Sequence, residues 1–166
     1  MSTPDLVLYD EEFQKIKDAL DRLRQDSNAN VVFLVDKNGQ QIAAMGDMTN
    51  LDTTSLASLT AGNVAATDGL ARLIGEKEFS ILFHEGEKDN IHISIVAQRV
   101  ILVVIFDERS SLGLVRLRVR RATSELDRIF EEITEKAARE KSNLSVEFES
   151  PFSEITDDDI DRLFSE

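Results

Sequence analysis

VILVVIF, residues Val100–Phe106, contains no polar position in seven. A strand with one wet face alternates apolar and polar residues. A strand without alternation is covered on both faces and belongs in the middle of a sheet. Seven residues is also far short of the roughly 20 that a membrane helix needs. The flanking chain supplies the neighbours. Asn90–Ala97 alternates Ile91, Ile93 and Ile95 against His92, Ser94 and Val96, and only Gln98-Arg99 separates it from the apolar run. Glu78–His84 sets Phe79, Ile81 and Phe83 against Ser80, Leu82 and His84, and the polar turn Glu85–Asp89 follows. Connections this short make the three strands antiparallel neighbours.

Further out, Val31–Val35 is a β-branched strand. Asp36-Lys37-Asn38-Gly39 is a hairpin signal, because Asn-Gly accepts positive φ cheaply, and Gln40–Gly46 returns. Asp10–Gln25 reads as a helix with Phe13, Ile16, Leu20 and Leu23 on one face and ends at Ser27-Asn28. A helix capped by Ser110 or Ser111 runs to about Arg139 with the core stripe Val115, Val119, Ala122, Leu126, Ile129 and Ile133. Leu51–Gly75 is the helix between the strand groups. Asp52, Thr53 and Thr54 can cap it, and Gly75 can stop it. The predicted order is α-ββ-α-βββ-α. It implies an α+β fold whose five-stranded antiparallel sheet carries the middle helix on one face and the two terminal helices on the other.

The middle helix has two apolar lines. One is Leu56, Leu59, Asn63, Ala66, Leu70 and Leu73; the other is Ala57, Ala61, Ala65 and Gly69, all small. Charge is almost absent before Asp68 and Arg72. The spacing predicts the leucines against the sheet and the small line facing outward. A bare outer face suits a partner surface; a helix buried on both sides within one domain has the same pattern.

Composition narrows the function. Of 166 residues, 42% are hydrophobic and 31% charged, enough for a real core. With no Cys, thiolate metal sites, disulfides and a cysteine nucleophile are excluded. His84 and His92 are read as strand residues with ordinary hydrogen bonds, since two imidazoles do not complete a zinc site. Asp157–Asp159 lacks the glycine-bearing twelve-residue calcium loop, and no GxxxxGK[ST] occurs. No metal, cofactor or catalytic residue is therefore assigned. A net charge of −13 argues against nucleic acid. The N-terminus lacks a basic region followed by an apolar run, so the expectation is a cytoplasmic protein without membrane insertion. Residues 1–139 form the expected domain. Residues 140–166 are an acidic flexible tail, with eight acids from Ser142 onward against Arg162 alone. Ser150-Pro151 breaks the chain there, and residues 157–164 can form a short amphipathic helix. Phe152, Ile155, Ile160, Leu163 and Phe164 are apolar anchors in this tail. They suit a segment that folds onto a basic groove; a plain solubilising extension is the alternative.

The element order, together with VVFLVDKNG (31–39), Ile42–Gly46, TTSLASLTAGNVAA (53–66) and Val100–Phe106 leading into SLGLVRLR (111–118), resembles the Roadblock/dynein light chain domain family, with its profilin/longin-like fold. The likeness covers about residues 6–139 and is strongest to bacterial polarity and motility members. It implies a homodimer paired through an edge strand, here Glu78–His84, with the middle helices of the two copies side by side as a platform for the switch regions of a GTP-bound Ras-like GTPase. On that likeness, Ala57, Phe79, Ile81 and Phe83 belong to the dimer interface. Ala61, Ala65, Asp68 and Gly69 contact the GTPase. The implied activity is GTPase activation without an arginine finger, concentrated at a cell pole; a non-catalytic adaptor for a GTPase or motor is the alternative. Arg109 and the Arg116–Arg121 cluster are read as surface charges.

Overall fold

The computed structural model describes residues 9–153 and 162, with side chains from 9 to 144 and at 162. In chain order the elements are α1 (Asp10–Ser27), β1 (Val31–Asp36), β2 (Gln41–Gly46), α2 (Thr53–Leu73), β3 (Ile81–Glu85), β4 (Asn90–Val96), β5 (Val100–Phe106) and α3 (Leu112–Ser153). The strands form one antiparallel sheet in the order β2-β1-β5-β4-β3. The apolar run is β5, the central strand, and all seven of its residues are buried.

Alternation along the strands divides the core in two, because successive side chains leave opposite faces of a sheet. Val32, Leu34, Leu102, Val104 and Phe106 pack with α1 and α3, whose buried stripes include Ile16, Leu20, Leu23, Val119, Leu126 and Phe130. Val31, Phe33, Val35, Ile101, Val103, Ile105 and Ile93 pack beneath α2 with Ala57, Ala61 and Val64. Ion pairs tie α1 to α3. Lys15 Nζ lies 3.0 Å from Glu132 Oε2, and Arg22 meets Glu125. Lys136 reaches the buried Glu12 and, by hydrogen bonding to it, holds that carboxyl below its ordinary range.

Two boundaries differ from the spacing. β3 begins at Ile81, not Glu78, although Ile95 N already donates to Ser80 O at 3.0 Å. Phe79 therefore precedes the strand. α3 continues past Arg139 to Ser153. Glu131–Glu140, EEITEKAARE, is rich in strong helix formers, so the helix propagates after its core stripe has ended. Phe152 lies on the backbone of this helix. The other tail anchors, Ile155, Ile160, Leu163 and Phe164, fall outside the described residues.

The hairpin between β1 and β2 presses on α2. Gly39 sits at φ +90°, and a Cβ there would lie 3.1 Å from Ser58 Cα. Both the left-handed backbone and the close approach require glycine. Gly39→Ala is expected to cost about 1–3 kcal/mol through backbone strain and displacement of α2. The corresponding loss in Tm is roughly 2–4 °C per kcal/mol for a chain of this size. Thermal unfolding followed by circular dichroism checks it, and an unchanged Tm contradicts the contact.

Candidate functional surface

The start of α2 is held by Asp52, whose Oδ1 accepts from Ser55 N at 3.1 Å. Its end closes with Glu76 N donating to Ala71 O at 2.8 Å and Gly75 N to Arg72 O at 3.2 Å, a pairing that consumes orphan carbonyls while Gly75 supplies φ +83°. Both ends follow the expectation from the residues.

The faces of α2 do not. Its buried positions are Ala57, Thr60, Ala61, Val64 and Ala71. The large side chains point away: Leu59 is 72% exposed, Leu70 60% and Leu73 82%, with Ile74 also outside. The sheet explains the inversion. Its upper surface already carries Phe33, Ile93, Ile101, Val103 and Ile105, so the helix comes close only through its small residues. The expectation of leucines against the sheet is overturned, except that Leu56 is partly buried at the margin of that cluster. Ala57 is 1% exposed and Ala61 is buried, so neither can offer its side chain to a dimer partner or a GTPase as expected. Ala65 and Gly69 are exposed and Asp68 is half-buried. A Cβ at Gly69 would meet nothing within 4 Å, so the helix is open to a partner there.

Edge strand β3 adjoins this helix. Its Leu82 and His84 lie on the α2 face, and the Asn63 amide meets His84 Nε2 at 2.9 Å. Ile81 and Phe83 take the opposite face. Ile81 is 48% exposed, and Phe83 stacks on Phe106 with ring centroids 6.1 Å apart. Phe79 is half-buried just before the strand. β3 thus offers an unpaired backbone edge with apolar side chains, without the lysines or prolines that usually protect such edges.

The second histidine departs from the ordinary hydrogen bonding expected of it. His92 is buried on the α3 side of the sheet, and neither ring nitrogen has a hydrogen-bond partner among the described residues. The tempting arginines lie elsewhere than α2. Arg109 is bound to Asp107 at 3.0 Å and to Asn30, and it holds the Asp107 carboxyl far below the usual range. Arg116 and Arg120 are on α3, across the sheet. Arg72, in the last turn of α2, is the arginine on the helix itself, and nothing in the spacing distinguishes it from a solvated surface charge. Among the described residues no three His, Asp or Glu side chains gather as a metal site, and no helix is long and apolar enough to cross a membrane.

A five-stranded antiparallel sheet with one helix above and two below is the architecture of Roadblock-type domains. The Roadblock/LC7 domain model matches residues 15–106, and the chain belongs to that family. It is similar to Myxococcus xanthus MglB, at 64% identity over 77% of this chain and 96% of that one, with a TM-score of 0.73. The gliding protein MglB from Thermus thermophilus shares 34% identity over 79% of this chain and 99% of its own, TM-score 0.73. A structure described as MglB with tetrameric arrangement shares 33%, over 80% and 99%, also at 0.73. No curated protein matches the chain.

Proposed function

We propose that the chain is a homodimeric GTPase-activating protein for a Ras-like, MglA-type GTPase in bacterial cell polarity and motility, working in the cytoplasm and concentrated at a pole. The observation that carries this reading is the bare outer face of α2, Leu59, Leu70 and Leu73, in a chain 64% identical to MglB. Several exposed leucines along one helix are the signature of a docking surface. In this reading the β3 edges of two copies pair, with Phe79, Ile81 and Phe83 at the seam. The two α2 helices then lie side by side and receive the switch regions of the GTP-bound protein, with Ala65, Asp68 and Gly69 at the flank of the contact.

No nucleophile–base pair or metal cluster stands out among the described residues, and in this reading activation is by positioning: the chain holds the GTPase's own catalytic groups in a hydrolysis-competent arrangement. An inserted arginine can speed such a reaction by about 10³–10⁵, and Arg72 is the arginine on the docking helix. Activation by positioning alone survives its removal. The acidic tail beyond residue 139, with Phe152, Ile155, Ile160, Leu163 and Phe164, adds a second contact to the GTPase.

Single-turnover GTP hydrolysis by a cognate Ras-like protein tests this. The full chain and Arg72→Ala are both expected to accelerate it, and a chain ending at Lys141 to do so with weaker affinity. Binding without acceleration makes the chain an adaptor. Loss of acceleration in Arg72→Ala makes Arg72 a finger.

A further inference from the structure

A second feature lies across the sheet from the docking face. Between β4, β3 and the first turns of α3 is a cavity of about 250 Å³. His92 and Ser94 line it from β4, Ser80 and Ile81 from the β3 edge at which the proposed dimer pairs, and Arg116 and Arg120 from α3. His92 is 1% exposed and Ser94 is buried, yet Nδ1, Nε2 and Oγ have no hydrogen-bond partner. Buried polar atoms are nearly always paired, with protein, water or a ligand, and three without a protein partner in one wall mark a polar site. The arginines add charge. Positions 116 and 120 are four apart and share a helix face, where like charges repel. Neither guanidinium has an ion-pair partner among the described residues, and α3 carries no acid before Glu125. This is a basic pocket on a chain of net charge −13.

We propose that Arg116 and Arg120, over the wall formed by His92 and Ser94, bind a phosphate-class oxyanion. Size supports the choice. The cavity exceeds the roughly 30 Å³ share of one water and falls below the ~300 Å³ at which organic-ligand sites begin. Chemistry supports it too: guanidinium forks match tetrahedral oxyanions, and hydroxyl and imidazole N–H groups complete the shell. Burial and the neighbouring Arg116 keep the imidazole pKa below its ordinary value, so the ring is a neutral donor there.

The two histidines make the test specific, since His84 lies on the α2 face and serves as the internal control. The full chain is titrated with potassium phosphate against potassium chloride at matched ionic strength, and both imidazole resonances are followed by NMR. The expected result is a saturable shift at His92, none at His84, and affinity at least about tenfold weaker in Arg116→Gln/Arg120→Gln. Both substitutions place a good helix former at an exposed position, and an unchanged Tm confirms the fold. Three outcomes overturn the proposal. The His92 shift can match that of chloride, or it can persist undiminished in the double variant. It can also follow protein concentration and ignore phosphate, which means that a carboxylate of a second copy fills the cavity.

Discussion

Leu70→Arg combined with Leu73→Arg is expected to abolish GTPase binding and stimulation while leaving the chain folded. Both side chains are largely exposed, so their loss removes little from the core, and substitutions at such positions usually stay within about 0.5 kcal/mol. Docking changes their situation. A leucine taken from full exposure to full burial contributes about 1.5–3 kcal/mol; with Leu70 60% and Leu73 82% exposed, the two contribute about 2–4 kcal/mol, or roughly thirtyfold or more in affinity. Arginine in their place also brings charge that the contact must desolvate. The measurements are affinity for the GTP-bound partner and the single-turnover rate, beside a thermal melt. A normal melt with both lost is the expected pattern; unchanged stimulation removes α2 from the mechanism. Ala65→Arg with Gly69→Arg tests the flank of the same surface and is expected to act through steric exclusion.

Ala57→Asp is expected to have the opposite signature, loss of the fold. Ala57 is packed against the sheet cluster that contains Phe33, Ile101 and Val103, with no cation or donor in that cluster to meet a carboxylate. A buried unpaired charge costs several kcal/mol, against a total stability of roughly 5–15 kcal/mol for a domain. Insoluble expression or loss of a cooperative melt is the expected result. Ala65→Arg, two turns along on an exposed side of the helix, keeps the melt. If Ala57→Asp instead folds and only fails to self-associate, the alanine line faces outward after all.

That pair of substitutions marks where the sequence is legible and where it is not. The sheet could be read because its signals are local. An unbroken apolar run means burial on both faces, and Gln98-Arg99 and Asn38-Gly39 leave room only for tight turns. The grouping of β1 with β2 and of β3, β4 and β5 together follows from those turns, and the covered β5 puts helices on both faces. The orientation of α2 could not be read in the same way. Its two lines are both apolar, so periodicity finds two candidate stripes and no polar face to choose between them. Size decided it: the large residues of the sheet leave room for alanine and not for leucine, and that is a property of the assembled core. The end of α3 is not legible for a related reason, since a solvated helix of good formers needs no stripe to continue. The unpaired state of His92 had no sequence signal, because alternation places a residue on a face without saying what meets it. The family resemblance points to α2 as the docking element, and burial adds the exposed Leu59, Leu70 and Leu73 to the candidates Ala65 and Gly69.

The central claim is that the outer face of α2 receives the GTPase. Methyl NMR of leucine-labelled chain, with and without a GTP-loaded Ras-like partner, tests it at the residues concerned. Leu59, Leu70 and Leu73 are expected to shift or broaden, while Leu20, Leu102 and Leu126, buried on the α1 and α3 side, stay in place. Perturbation centred on Leu114 and Leu117 of α3, with the α2 methyls unmoved, would contradict it.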